Sequence, residues 1–180
     1  MNKFLFFEDV FIKKNKIKEA LSPFMDIEFH KDTKIENYEC LIGFGSGCFK
    51  LFELIENSSY LKDVFLISCY LDFDRFLAWT ASACLKEIAE KIGIDVKDLN
   101  ENIDFSKLKG KKYFLKKEKF KCKFHLIYGI DNKLFSTDDA LKIVDLLDFP
   151  RVHLFEEGGF APFLKFPEYF ANLITEEINK

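Results

Sequence analysis

Three observations predict an α/β fold built on a small parallel sheet. Short apolar runs alternate with stretches of helical period over much of the chain, the order that β-α-β units leave in a sequence. The run at residues 39–44 is apolar almost throughout, as a strand covered on both faces should be. Immediately after it, Gly43-Phe44-Gly45-Ser46-Gly47 sets three glycines between that strand and the next helix, where a very tight turn calls for them. About six strands are expected, with flanking helices and a helical cap insertion.

Taken in order, residues 3–7 read as a strand and 14–24 as an amphipathic helix with Ile17, Ala20 and Leu21 on one face. Pro23 marks the end of that helix. Strands are expected at 26–30, 39–44 and 63–69, with a helix over 46–55. The alternation is then interrupted. Residues 73–120 hold Phe76, Leu77, Trp79, Ala81, Leu85, Ile88 and Ile92 at helical spacing, and no buried strand. The order resumes with a strand at 123–128, a helix at 138–147, a strand at 151–155 and a final helix at 167–178. Residues 1–180 are therefore read as one domain with its cap insertion at about 73–120.

Composition narrows the function classes. Hydrophobic residues make up 48 % of the chain and 23 are phenylalanine, enough for a well-filled core. No apolar run approaches the roughly 20 residues that span a bilayer. The first apolar run stops at Glu8-Asp9, too short for a signal peptide, so a cytoplasmic protein is expected. The cysteines Cys40, Cys48, Cys69, Cys84 and Cys122 are odd in number and scattered, which favours buried small apolar groups over disulfides or a structural metal. Neither a metal nor a cofactor is expected.

The glycine-rich turn is the elbow on which α/β-hydrolases carry their nucleophile. Two further stretches extend the likeness: Leu126-Ile127-Tyr128-Gly129-Ile130-Asp131-Asn132, and Gly158-Gly159-Phe160-Ala161-Pro162-Phe163 followed by Phe166-Pro167-Glu168-Tyr169-Phe170. With these motifs the chain resembles the short pimeloyl-acyl-carrier-protein methyl ester esterases of bacterial biotin synthesis. That resemblance implies an α/β-hydrolase-like fold, but its functional positions hold other residues here. The family's nucleophilic serine falls on Gly45, its aspartate on Asn132 and its histidine on Phe160. The glycine-rich loop that supplies an oxyanion-hole amide corresponds to Glu8-Asp9-Val10-Phe11, which has no glycine. A triad needs nucleophile, base and orienting acid together, so the resemblance implies a degenerate, non-catalytic hydrolase.

Ser46, one residue on, is the fallback nucleophile, but an elbow centred there would be flanked by Phe44 and Cys48, and a helix N-cap or first-turn role explains it better. Cys48 lies within the helix, and Asp131 could stand in for Asn132. Among the histidines, His125 and His153 fall inside strands, and only His30 ends one. The amides at Ser46 and Gly47 could still bind an anion, since a helix amino terminus favours negative charge. The second feature is basic. Lys107, Lys109, Lys111, Lys112, Lys116, Lys117, Lys119, Lys121 and Lys123 crowd one segment of a chain whose net charge is −3. No nucleic-acid recognition motif accompanies them. An acidic protein such as an acyl carrier protein is the expected partner, docking on Lys111, Lys112, Lys116 and Lys117, with a solvated basic face as the other reading. The expected function is binding of an acyl group, an acyl carrier protein or another subunit in the old pocket; the alternatives are an active carboxylesterase using Ser46 and a structural subunit whose site is filled by Phe160 and Phe44.

Overall fold

The computed structural model describes residues 3–31, 34–74, 84–100, 103, 109–110, 120–134, 137–147 and 150–180. Among the described residues there are six strands: β1 (Lys3–Phe7), β2 (Asp26–Phe29), β3 (Cys40–Phe44), β4 (Asp63–Ile67), β5 (Lys123–Gly129) and β6 (Arg151–Phe155). They form one sheet in the order β2-β1-β3-β4-β5-β6, and every neighbouring pair is parallel. The register aligns Phe7 with Gly43, Phe44 with Ile67 and Gly129 with Phe155, so the strands end along one carboxyl edge.

The apolar runs divide by the two-residue strand period into two layers. Phe4, Phe6, Ile42, Phe44, Phe65, Ile67 and Ile127 face one side. There they meet helices α1 (Lys14–Leu21), α3 (Leu85–Ile92), α5 (Pro162–Lys165) and α6 (Pro167–Ile178). Leu5, Phe7, Leu41, Val64, Leu66, Leu126 and Tyr128 face the other, against α2 (Gly47–Glu56) and α4 (Thr137–Leu146). β3 and β4 are buried at every position, which is why they read as unbroken apolar runs.

The expected elements are all found where they fall on described residues, with small changes at their ends. Helix α1 stops at Leu21, whose carbonyl receives the amides of Phe24 and Met25. Strand β4 stops at Ile67 because Ser68 turns into the left-handed region, at φ 44°. Cys40, Cys48 and Cys69 are buried as anticipated, but Cys84 is exposed and Cys122 half-buried.

Within the insertion between β4 and β5, the described residues form α3, closed by Gly93, and a short 3-10 turn at Val96–Asp98. Its far end is laced to the loop after β1. Ile12 bridges Leu99, the Lys13 amide donates to Asp98, the Asn100 amide to Phe11 and the Asn100 side chain to the Val10 carbonyl. The insertion thereby fixes residues 10–13. Phe76, Leu77, Trp79 and Ala81 lie outside the described residues, as do Lys107, Lys111, Lys112, Lys116, Lys117 and Lys119. No helix among the described residues is long and apolar enough to cross a membrane.

Candidate functional site

At the carboxyl end of β3 the chain reverses at Gly45 into α2. Gly45 has φ +51°, a conformation that side chains disfavour, and its amide is held by the Ile67 carbonyl. A Cβ at this position would run into the carboxylate of Asp9 and come within 3.0 Å of Cζ of Phe160. At Gly47 a Cβ would collide with the carbonyl of Phe7, because β1 passes directly beneath the turn. Both glycines are thus demanded by close approach.

The turn brings three distant segments together. Phe160 is fully buried and packs on Phe44, ring centroids 4.9 Å apart. Asn132 follows β5 and donates to the Ser68 hydroxyl at 3.3 Å, and that hydroxyl donates to the Phe160 carbonyl at 2.7 Å. Gly45, Asn132 and Phe160 therefore lie on the same edge of the sheet. Asp131, beside Asn132, accepts from the Gly159 amide at 2.7 Å.

The most charged group at the elbow is Asp9, only 1 % exposed. Its Oδ2 accepts from the Ser46 amide at 2.7 Å and from the Ser46 hydroxyl at 2.8 Å, with the Tyr70 hydroxyl at 3.5 Å. Its Oδ1 accepts from the Phe11 amide at 2.8 Å. The Ser46 hydroxyl in turn accepts from the Val10 amide at 3.1 Å. Burial pushes the Asp9 carboxyl up to about 6, even though the amides of Ser46 and Phe11 and the two hydroxyls stabilise its ionised form. Burial, reinforced by the Asp9 charge, also raises the Tyr70 hydroxyl well above its ordinary range.

This geometry changes the meaning of Ser46 and Gly47. In hydrolases of this fold, the amide after the elbow residue and an amide of the loop after an early strand form the oxyanion hole. Here the Ser46 and Phe11 amides both donate to the carboxylate of Asp9. The anion expected at these amides is the chain's own side chain. Sequence reasoning noted the loop Glu8-Asp9-Val10-Phe11 for its missing glycine and overlooked its acid. The available signal was an aspartate followed by the apolar Val10-Phe11, just after a buried strand.

The other candidates lie apart from this arrangement. His30 stacks on Phe7, centroids 4.7 Å apart, and Phe7 belongs to the layer opposite Phe44 and Phe160. His125 and His153 stack on one another, 5.6 Å between centroids, near the amino-terminal edge of the sheet. Cys48 is fully buried and burial pushes its thiol well above the ordinary range, the opposite of a reactive thiolate. Beside the Gly158-Gly159 turn is a cleft of about 410 Å³, with Ile92, Ile94, Ala161 and Leu164 as its apolar lining and Asp95 and Asp131 among its acidic groups.

Comparison with solved structures agrees with this topology. An esterase (EaEST) from Exiguobacterium antarcticum superposes with a TM-score of 0.72 at 11 % identity, over 100 % of this chain and 92 % of that one. The fold is that of the α/β-hydrolases. A lipase-esterase related protein from Clostridium acetobutylicum matches with a TM-score of 0.67 at 15 % identity, over 97 % of this chain and 93 % of its own. BioG from Haemophilus influenzae matches at 0.66 and 12 % identity, over 94 % and 93 %. No protein-family model matches the sequence, and a search of curated proteins finds no match. The likeness is one of fold.

Proposed function

We propose that this chain is a non-catalytic α/β-hydrolase-like protein that binds an acylated acyl carrier protein, or an acidic protein of that kind. The observation that carries the reading is Asp9, whose carboxylate sits on the Ser46 amide against the position where a side chain on Gly45 would project. A tetrahedral oxyanion bound there would face a negative charge in place of hydrogen-bond donors. Two further features support it. Phe160 offers no proton-transfer group beside Gly45, and all three histidines stand in other surroundings. The partner is suggested by the lysine-rich segment, by the sequence resemblance to pimeloyl-acyl-carrier-protein methyl ester esterases and by the structural likeness to BioG. The cleft by Leu164 has the volume to take a short acyl group.

The test has two arms. Hydrolysis of p-nitrophenyl esters should not exceed that of a denatured control. Titration with an acylated carrier protein at low salt should show binding that weakens steeply as salt is added, because the Debye length is only about 10 Å at 0.1 M. Reversing the charge at Lys111, Lys112, Lys116 and Lys117 should abolish that binding with little change in Tm. No binding at low salt, or equal binding by the quadruple variant, would leave the segment a solvated face.

One observation favours a second reading, an esterase acting through Ser46. The Ser46 hydroxyl donates at 2.8 Å to a carboxyl raised to about 6, a value that suits a general base. Ester turnover abolished by Ser46→Ala would select this reading.

A further inference from the structure

A second cluster lies near the amino-terminal edge of the sheet, away from the elbow. Asp63 opens β4, His125 and His153 occupy the third positions of β5 and β6, and Glu177 stands near the end of α6. The two-residue strand period turns both imidazoles to the face on which α6 packs. Nδ1 of His125 is 3.4 Å from Nε2 of His153 and 3.9 Å from Oε2 of Glu177. One donor atom from each of the three residues falls within 4.8 Å of the others.

The hydrogen bond to Asp63 fixes which nitrogen of His125 faces the cluster. Nε2 of His125 is 2.8 Å from the Asp63 carboxylate, so that nitrogen carries the proton and Nδ1 presents its lone pair. Nδ1 then faces a second imidazole nitrogen and a carboxylate oxygen. A single proton can bridge one pair of these three atoms, whereas a cation serves all of them. The His125 ring is also held in place, stacked on Phe65 with centroids 4.3 Å apart.

We propose that His125, His153 and Glu177 bind a divalent ion of the zinc type, with Asp63 orienting His125 through its far nitrogen. Two imidazole nitrogens and one carboxylate oxygen suit borderline ions such as zinc. Bonds of about 2.0–2.1 Å in a tetrahedral site hold donor atoms about 3.3–3.4 Å apart, so the two histidines already stand at the required separation, while Glu177, 3.9 Å from Nδ1 of His125 and within 4.8 Å of His153, has to move inward. A carboxylate on the remaining nitrogen of a ligating histidine is the usual second layer of such sites. Arg151 and Lys180 also bind Glu177, but both are more than half exposed and can retreat into water. The ligands are in their metal-binding state near neutral pH. Burial holds both imidazoles below their ordinary range, and the Lys180 and Arg151 contacts keep Glu177 ionised, at about 2. The ion would pin the last helix to β5 and β6. Linear spacing could not show this site, because its ligands come from three separate elements.

The test begins with protein stripped by a chelator. Zinc should raise its Tm, and cobalt(II) should give the visible absorption of a four-coordinate nitrogen and oxygen site without a thiolate charge-transfer band. His153→Ala and, independently, Glu177→Gln should weaken zinc binding by at least about tenfold, and Asp63→Asn by about 10–100-fold. A Cys84→Ser, Cys122→Ser double variant should bind as the parent does. The absence of any zinc-dependent shift in the parent, undiminished binding by both the His153 and Glu177 variants, or a thiolate band with cobalt would each overturn the site.

Discussion

Oδ2 of Asp9 lies 2.7 Å from the amide of Ser46 and 2.8 Å from its hydroxyl, so one buried carboxylate takes both donors of Ser46. The loop carrying Asp9 is in turn tied to the insertion through Val10, Phe11, Ile12 and Lys13. Two long-range attachments thus hold a negative charge at the amino terminus of α2, where the helix dipole favours it.

Stability should depend on pH through this carboxyl. Its value is about 6 when folded against 3.8 in the reference state. Between those values the folded chain holds more protons than the unfolded one, so the Asp9 contribution is complete below about pH 4 and is lost as pH rises through about 6. The full span is roughly 3 kcal/mol. The lowered imidazoles of His125 and His153 act in the opposite sense, losing stability as pH falls below the ordinary histidine range. Comparison with Asp9→Asn isolates the first effect. The Tm of the parent minus that of the variant should increase from neutral pH to about pH 4, and a flat difference would remove Asp9 from the titration.

Gly45 should be nearly irreplaceable. Gly45→Ala forces a side chain into a positive φ and against the Asp9 carboxylate, at a cost of about 2 kcal/mol or more. The two causes separate in a double-mutant cycle. In an Asp9→Ala background the collision with the carboxylate is gone, and the same substitution should cost the backbone strain of about 1–2 kcal/mol together with the tight contact on Phe160. Gly45→Ser in the Asp9→Ala background should give no ester turnover, since neither that carboxylate nor a histidine then stands beside the new hydroxyl.

Ser46→Ala tests the polar network without adding volume. The Val10 amide loses its acceptor and Asp9 one of its donors, for a cost of about 1–3 kcal/mol. With one stabilising hydrogen bond removed, the Asp9 carboxyl should titrate higher still, visible as a shifted midpoint in the pH dependence of Tm.

Much of this was legible in the sequence because the central strands β3 and β4 are buried on both faces. β3 and β4 announce themselves as apolar runs, and the close approach of β1 and Asp9 to the turn leaves its mark as Gly45 and Gly47. The pairing of Gly45 with Phe160 was readable too, from the order of the elbow and the Gly158-Gly159-Phe160 stretch. Asp9 was not, because three of its four donors, on Ser46 and Tyr70, are reached only by folding, and the Phe11 amide alone is a neighbour in the chain. The same holds for His125, whose partners Asp63, His153 and Glu177 are set by register and by the docking of α6.

The cleft beside the Gly158-Gly159 turn separates acyl binding from carrier docking. Leu164 lines it, and Leu164→Trp should fill it. In that variant the acylated carrier should bind no tighter than the unacylated one, while the salt dependence is unchanged. An undiminished preference for the acylated form, measured by calorimetric titration, would place the acyl group elsewhere.

The most direct measurement is labelling with a serine-directed fluorophosphonate, read by intact mass across neutral and mildly acidic pH. With the Asp9 carboxylate seated on the Ser46 amide and Phe160 beside Gly45, we expect no adduct above that of the denatured protein. A stoichiometric adduct on Ser46, lost in Ser46→Ala, would show a working nucleophile and contradict the non-catalytic reading.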